Sequence, residues 1–230
     1  MKSDKTLKEN INYFEKNDTM KFAGIATIVI SAILYFFGWS YFSYIIACVG
    51  IPAGIVILVL GTVGKSNEED INNYINKHTQ EIKIDVEDNR SIAKRVLKNP
   101  APLIVEGDVY KEGIMIKKTK EGKLRSSLYA KSVIYPLSDA LYIVSKTVSV
   151  VSEDSESFAV EIPYSSITSF GTKEEKLNIT FNKKSYIAKK YELSVEDSNG
   201  NIYSVPIENS ISTDNFVKKL DEMIQQAKNI

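Results

Sequence analysis

The most constraining feature of this chain is a block of 43 consecutive residues without a charged side chain, which lies between Lys21 and Lys65. Of these residues, 31 are apolar. A bilayer core about 30 Å thick requires about 20 apolar residues at the helical rise of about 1.5 Å per residue. The block is long enough for two spans, and it predicts a transmembrane hairpin with helices from Phe22 to about Phe37 and from Phe42 to about Val63.

The reversal between the two spans is predicted at Gly38-Trp39-Ser40, since glycine and serine are turn residues. Aromatic side chains cluster around this point, as amphipathic rings do in the headgroup zone of a bilayer. They are Tyr35, Phe36, Phe37, Trp39, Tyr41, Phe42 and Tyr44. A cleaved signal peptide would have an apolar region of about 7 to 15 residues behind a short basic start. The much longer apolar run here favours an anchor.

The lysine distribution predicts the orientation of the hairpin. Five lysines precede the first span, Lys65 follows the second, and the turn between the spans has no basic residue. Lysine and arginine are enriched in cytoplasmic loops. The expected localisation is therefore the cell membrane, with two spans and both termini in the cytoplasm.

Gly50 and Gly54 form a small-residue motif with helical spacing in the second span. Small residues allow helices to approach closely, so this face fits either the other helix of the hairpin or a second copy of the chain. Packing within the hairpin is the favoured interpretation, and both glycines are assigned to transmembrane packing. Neither span contains an ionisable residue, which argues against a transporter or pump and favours an anchor.

Polar helical segments are predicted on both sides of the hairpin. In residues 1–21, apolar side chains recur at helical spacing and indicate a short amphipathic helix. Residues 65–98 are predicted to form a helical linker of one or two helices, with Ser66 as the cap of the first. Asn99-Pro100-Ala101-Pro102 ends the linker, because the residue before a proline disfavours the helical conformation.

Residues 99–230 change to short runs of strand-forming residues separated by polar turns. Asn199-Gly200 predicts a hairpin turn with positive φ at both residues. The pattern indicates an antiparallel sheet, sandwich or partly open barrel. The predicted strands are Leu103–Tyr110, Gly113–Lys118, Ser127–Pro136, Ala140–Val151, Ser157–Ile162, Ile167–Gly171, Leu177–Phe181, Ser185–Glu196 and Asn201–Ile207.

One amphipathic helix is predicted at the end of the chain. Its apolar stripe is Phe216, Val217, Leu220, Ile224 and Ala227, and Ser212 or Thr213 is the predicted cap. A single helix after a strand-rich segment has to bury its stripe against the sheet, and an open end of a barrel is the expected place. The predicted fold class is therefore α+β.

This order of elements resembles the pleckstrin-homology-like (PH-like) superfold. About seven strands precede one C-terminal helix, and the phrase Ile162-Pro163-Tyr164-Ser165-Ser166-Ile167 is similar to one between the central strands of bacterial PH-like and GRAM-like domains. The likeness covers about residues 103–229. It implies a helix-capped β barrel or sandwich, which in several bacterial versions is attached to two membrane helices. No catalytic or lipid-binding residue carries over, and a fold alone does not determine function.

The composition of the chain argues against several kinds of binding site and catalytic site. The chain has 29 basic and 29 acidic residues, and this balance argues against nucleic-acid binding. A single cysteine, Cys48, and a single histidine, His78, argue against disulfides, thiolate metal clusters and most histidine catalysis. Glu153, Asp154 and Glu156 lack the spacing of a calcium loop and are interpreted as a solvated loop. The sequence contains no nucleophile elbow, P-loop or dinucleotide motif, so we expect no enzymatic activity, no cofactor and no metal site.

Two lysine-rich stretches are the candidate contact sites of the strand-rich domain. Cations near the inner leaflet gain about 1 kcal/mol each from anionic lipids. The favoured interpretation is nevertheless an ordinary solvated surface, because lysines are also common at sheet edges and Arg125 is the only arginine after Arg95 that could make a bidentate phosphate contact. The first stretch is Lys117, Lys118, Lys120, Lys123 and Arg125, and the second is Lys183, Lys184, Lys189 and Lys190.

Together these features predict a membrane-anchored cytoplasmic binding or scaffold module of PH-like type. Its expected partners are the lipid bilayer, anionic lipid headgroups and a protein that the sequence does not identify. The alternative is a small oligomeric channel or holin-like membrane protein, assembled through the glycine face of the second span. The oligomeric state stays open.

Overall fold

A computed structural model describes residues 2–15, 19–38, 40–83, 89–207 and 211–228 of the chain. The chain divides into two compact units, Met1–Asn67 and Glu68–Ile230. The first contains helices, and the second contains antiparallel sheets with helices before and after them. The prediction of an α+β chain with two apolar helices, antiparallel strands and a C-terminal helix is confirmed. Trp39, which we expected at the hairpin turn, lies outside the described residues.

The first unit consists of α1 (Lys2–Glu15), α2 (Thr19–Phe37) and α3 (Tyr41–Thr62). α2 and α3 are long and apolar enough to cross a membrane, since their 19 and 22 residues extend over about 28 and about 33 Å. α2 begins at Thr19, three residues before the predicted start at Phe22, so Lys21 lies in its first turn. Ser40 caps α3, and its hydroxyl accepts a hydrogen bond from a backbone N–H of the first turn at 3.3 Å.

Small residues bring α2 and α3 together in an antiparallel pair. A Cβ atom on Gly24 would lie 2.6 Å from a backbone nitrogen of α3, and one on Gly54 would lie 2.6 Å from Cγ1 of Ile28. A Cβ atom on Gly50 would overlap the side chain of Ser31. Both glycines of the motif therefore face the neighbouring helix of the same chain.

α1 packs against the segment that follows α3. Asn10 is fully buried, and its Oδ1 accepts a hydrogen bond from the Ser66 hydroxyl at 2.6 Å. Asn12 Nδ2 donates to the carbonyl of Gly64 at 2.7 Å, and Phe14 is buried on the same helix. The prediction that Ser66 caps a helix is wrong, because its hydroxyl is bound to Asn10 and the next helix begins two residues later.

The second unit begins with α4 (Glu68–Thr79), a 3-10 helix (Gln80–Lys83) and α5 (Arg90–Ala93). Nine strands follow in the described residues: β1 (Leu103–Asp108), β2 (Ile116–Lys118), β3 (Leu124–Ser126), β4 (Leu128–Pro136), β5 (Ala140–Ser149), β6 (Ser155–Pro163), β7 (Ile167–Phe181), β8 (Lys184–Asp197) and β9 (Ile202–Pro206). α6 (Ile211–Lys228) is the last helix. One sheet has the order β1-β4-β5-β6, a second has β7-β8-β9, and β2 and β3 form a separate hairpin.

Apart from shifts in strand ends, the strands differ from the prediction in two places. β7 is continuous from Ile167 to Phe181, whereas the sequence predicted two strands within this range. The charged segment from Lys173 to Lys176 stays extended because β8 pairs with it residue by residue. β3 was not predicted, and its three residues are held in the extended state by pairing with β2.

The main core lies between the two sheets and α6. Cross-strand neighbours such as Ile134 and Ile143 point into it together, because paired residues share a face of the sheet. α6 buries Phe216, Leu220 and Ile224 there, as its predicted stripe requires. The cap prediction is wrong, since the helix begins at Ile211 and the predicted cap residues 212 and 213 lie within its first turn.

The helical segments at the start of the second unit cover the opposite face of the first sheet. Ile82 and Ile92 are buried there against Val133, Leu137 and Val144. Val96 then forms a β-bridge with Leu137. From Glu68 onward, the segment predicted as a linker belongs to the second compact unit.

Backbone conformation corrects one predicted turn. Asn182 and Lys183 have φ of 50° and 61°, so the two-residue turn with two positive φ angles joins β7 to β8. At Asn199-Gly200 only the glycine has positive φ, at 81°. The carboxylate of Asp197 accepts hydrogen bonds from two backbone N–H groups of this loop, at 2.8 and 3.0 Å, and holds it in a wider form.

Candidate functional site

The first lysine-rich stretch forms the β2–β3 hairpin, which lies between β1 and β4 in the chain. Lys118, Lys120 and Lys123 are exposed, whereas Lys117 and Arg125 are half-buried and pair across the hairpin. A backbone hydrogen bond of 2.8 Å closes the turn. The hairpin therefore presents three exposed ammonium groups around one tight turn.

Arg125 is bound to neighbouring side chains. Its Nη1 donates to Oδ1 of Asn72 on α4 at 2.7 Å, and its Nε lies 3.8 Å from Oδ1 of Asp108. The side chain is only 20% exposed. A bidentate phosphate contact needs the open fork of a guanidinium group. This arginine is held inside the domain, so the exposed charge of the hairpin comes from lysine.

Contacts on two sides hold the hairpin in place. The backbone N–H of Lys120 donates to Oε1 of Glu68, the first residue of α4, at 3.3 Å. Ile116 of β2 is buried in a small apolar cluster with Ile179 of β7 and Ala188 of β8. The hairpin is thereby attached both to α4 and to the outer end of the β7–β8 ribbon.

The same cluster brings in the second lysine-rich stretch. Lys183 lies in the β7–β8 turn and Lys184 begins β8, and both are exposed. Ala188, four residues further along β8, belongs to the cluster that holds the hairpin. Lys189 and Lys190 lie in ion pairs with glutamates at 4.0 and 2.9 Å. Apolar residues from both parts of the sequence, about 60 residues apart, therefore pack in one cluster.

A partly buried carboxylate lies beneath the hairpin. Asp108, the last residue of β1, is 19% exposed, and its Oδ1 accepts a hydrogen bond from the backbone N–H of Ser126 at 2.8 Å. Burial raises the pKa of Asp108 to about 6, although the Ser126 hydrogen bond and the Arg125 charge act in the opposite direction. The ionised form of this carboxyl is thus disfavoured by the fold.

We expect the Asp108→Asn variant to unfold less readily than the natural chain above pH 6. A raised pKa means that the folded state binds the proton more tightly, so the natural chain gains stability as the pH falls from above 6 towards the ordinary value of 3.8. The asparagine carries no charge and keeps an acceptor for Ser126, so the gain at pH 8 is at most about 3 kcal/mol, the free energy that corresponds to a rise in pKa from 3.8 to about 6. Urea unfolding of the full chain in detergent at several pH values measures this difference.

The control for that experiment is Glu112→Gln, which removes an exposed carboxylate from the loop after β1. It should leave the pH dependence of unfolding unchanged. A stability difference between the Asp108→Asn variant and the natural chain that is the same at pH 8 and pH 4 would contradict the raised pKa.

Comparison of the chain with protein-family models, curated proteins and solved structures gave no match. The function is therefore inferred from the chain's own residues.

The phrase that carries the PH-like resemblance forms the passage between the two sheets. Pro163 ends β6, Tyr164 begins a single 3-10 turn, and Ile167 begins β7. Tyr164 is only 2% exposed, and its hydroxyl donates to the carbonyl of Leu137 at 3.0 Å. Burial, together with the charge of Asp139, raises the pKa of Tyr164 to about 12. The hydrogen bond of Tyr164 therefore connects the segment between β6 and β7 to the β4–β5 turn.

Arg95 also binds this turn. Its Nη2 donates to Oε1 of Glu161 at 2.8 Å and to Oδ1 of Asp139 at 2.6 Å. These two hydrogen bonds raise the pKa of Arg95, and the guanidinium in turn lowers the pKa of Asp139. The segment that precedes β1 is therefore joined to the first sheet by charged groups as well as by apolar contacts.

The histidine and cysteine of the chain belong to different units. His78 on α4 stacks on the ring of Tyr74 at 4.1 Å, and its Nδ1 lies 2.9 Å from the Tyr74 carbonyl. Cys48 is exposed on α3. Among the described residues, no group of three or more His, Cys, Asp or Glu side chains is placed to hold a metal ion.

Proposed function

We propose that this protein is a membrane-anchored binding module, in which α2 and α3 cross the bilayer and the second unit is a PH-like domain in the cytoplasm. The exposed apolar surface of the hairpin carries this proposal. Only 11% of the α2 span and 17% of the α3 span are buried, and Phe36 is 76% exposed. Soluble proteins rarely expose a continuous apolar surface of this kind. A bilayer would cover it.

The lysine distribution supports a cytoplasmic position for both termini. Lys5, Lys8 and Lys21 precede or begin the spans and Lys65 follows them, while the described residues of the connecting turn have no basic side chain. Basic residues are retained on the cytoplasmic side of membranes. The second unit would then lie in the cytoplasm, next to the inner leaflet.

Strand order supports the PH-like interpretation. Four strands, β1-β4-β5-β6, form one sheet, three strands, β7-β8-β9, form another, and α6 packs on the core between them. This arrangement amounts to seven strands and a C-terminal helix, with β2–β3 as an additional hairpin. Tyr164 lies between β6 and β7, the fourth and fifth of these seven strands, and the resemblance implies a position between central strands.

We further propose that the β2–β3 hairpin contacts anionic lipids of the inner leaflet. Five residues separate Thr62 from Glu68, and an extended chain of that length reaches about 20 Å. Glu68 is bonded to the hairpin turn, so the chain keeps Lys118, Lys120 and Lys123 within reach of the end of α3. Each lysine near an anionic surface contributes about 1 kcal/mol, and the tether supplies a high effective concentration.

The lipid contact can be tested on the full chain in nanodiscs. A bimane label on a Glu121→Cys, Cys48→Ser variant should be quenched by spin-labelled headgroups more strongly in phosphatidylglycerol-rich discs than in phosphatidylcholine discs. Added salt should weaken the difference, because exposed charges are screened. Joint replacement of Lys118, Lys120 and Lys123 by glutamine should remove it.

Joint replacement of Lys173 and Lys176 by glutamine is the matched control, since these exposed lysines lie on β7 and not in the β2–β3 hairpin. It should leave the quenching unchanged. Equal quenching in both types of disc would refute the lipid contact but leave the anchor in place. A second unit digested by protease added to intact cells would refute the cytoplasmic position.

The channel or holin-like alternative has less support. It depends on the face of Gly50 and Gly54 being open to a second copy, and in this chain that face packs against α2. Ion conductance of the purified chain in planar bilayers would nevertheless support the channel alternative.

A further inference from the structure

The edge of the first sheet is formed by β6. Among the described strands, only β5 pairs with it, from Ala140 opposite Pro163 to Val148 opposite Ser155. The residues from 155 to 159 are all exposed. An edge strand has unpaired backbone N–H and C=O groups, which can accept another extended chain.

β6 differs in charge from β7, the neighbouring edge strand. β7 carries four consecutive charged residues, Lys173–Lys176, and charged side chains on an edge discourage strand addition. The centre of β6, by contrast, is Ser157-Phe158-Ala159, without a charge. This stretch is therefore the less protected of the two edges.

An apolar contact lies beside this uncharged stretch. Phe158 is 37% exposed although it lies on the inner face of the sheet, opposite the buried Ser145. Its ring centre is 6.2 Å from that of Tyr203 on β9. A side chain of an added strand next to Phe158 would cover the exposed part of this ring.

The start of β6 is acidic. Glu153 and Asp154 precede the strand and Glu156 lies within it, and all three are exposed. Lys146 of β5 pairs with Ser157, so it lies on the opposite face of the sheet from Glu156. The acidic end favours a partner with basic residues at the corresponding position.

We propose that the free edge of β6 binds an extended, basic segment of a partner protein by strand addition. This deepens the binding-module proposal by naming the partner's chemistry. Backbone hydrogen bonds to β6 would supply affinity, and an apolar side chain beside Phe158 with lysine or arginine near Glu156 would supply specificity. A second copy of the chain fits less well, because each copy would bring the same acidic segment to the contact.

The test uses the full chain in neutral detergent micelles and the fluorescein-labelled peptide Lys-Lys-Val-Thr-Val-Thr-Val. Anisotropy should show binding, and backbone amides of β6 should gain protection from hydrogen exchange. Glu156→Lys and Phe158→Ala should each weaken binding by about fivefold. The matched control Glu175→Lys, an exposed change on β7, should leave binding unchanged.

Two further peptides separate strand addition from simple charge attraction. The analogue that begins with Glu-Glu, and the basic peptide with alternate backbone N-methyl groups, should both fail to bind. The proposal would be overturned if the unmodified basic peptide bound the natural chain and Glu156→Lys equally, or if either of the other two peptides bound the natural chain as tightly as the basic peptide does. Sedimentation showing a dimer that already protects the β6 amides would also overturn it and identify a second copy as the occupant. Because the micelles contain no anionic lipid, failure here is independent of the lipid-contact test.

Discussion

Replacing Gly24 with leucine is expected to separate α2 from α3 by about 2 Å. A Cβ atom at this position would lie 2.6 Å from the nitrogen and 2.8 Å from the Cα of Leu58, and backbone atoms of a helix cannot rotate away. The distance between packed helices depends on the side chains at the contact. Nitroxide labels on cysteines at Phe22 and Val63, in a Cys48→Ser background, would measure the separation in nanodiscs.

Ala53→Leu is the matched control, because Ala53 is exposed on α3 and its replacement places a leucine side chain away from the contact. It should leave the distance between labels unchanged. If the glycine and alanine variants give the same distance as the natural chain, the close antiparallel contact of α2 and α3 is incorrect. If both variants increase the distance, bulk and not the glycine contact is responsible.

Tyr164→Ala is expected to lower the free energy of unfolding of the second unit by about 3 to 5 kcal/mol, which is typical of removing a large aromatic side chain from a core. Tyr164 belongs to the main core and is 2% exposed. Its loss would leave a cavity where the chain passes from β6 to β7. Denaturant unfolding of the full chain in detergent, followed by the circular dichroism of the sheet, measures the effect.

Tyr164→Phe separates the contribution of the hydroxyl from that of the ring. It should cost about 1 kcal/mol, since the ring still fills the core but the Leu137 carbonyl loses its hydrogen bond. Ser165→Ala, at the exposed neighbouring position, is the control and should have little effect. If the phenylalanine and alanine variants lost the same free energy of unfolding, packing of the Tyr164 ring would not stabilise the segment between β6 and β7.

Several elements were predictable because their signals are local. The α6 stripe recurs every three or four residues, and Phe216, Leu220 and Ile224 are buried as expected. Other local signals were misleading. Ser66 has the residue type of a helix cap, yet its hydroxyl binds Asn10, which lies 56 residues earlier in the chain. Asn199-Gly200 fits a tight turn by residue type, but the Asp197 carboxylate holds a wider loop.

The candidate site shows the same division. Its lysines were visible as two basic stretches, but their sequence spacing contained no sign that they meet. The buried cluster of Ile116, Ile179 and Ala188 joins the strands that carry the two stretches. The binding of Arg125 to Asn72, 53 residues away, was equally hidden.

By itself, the sequence determined the two apolar helices and the alternation of strands and turns, because length, hydropathy and residue period act within one element. Only the tertiary structure decided which cations are exposed, which edge strand is open and how strongly Asp108 holds its proton. Those properties depend on strand register and burial, which arise from contacts between residues far apart in the chain.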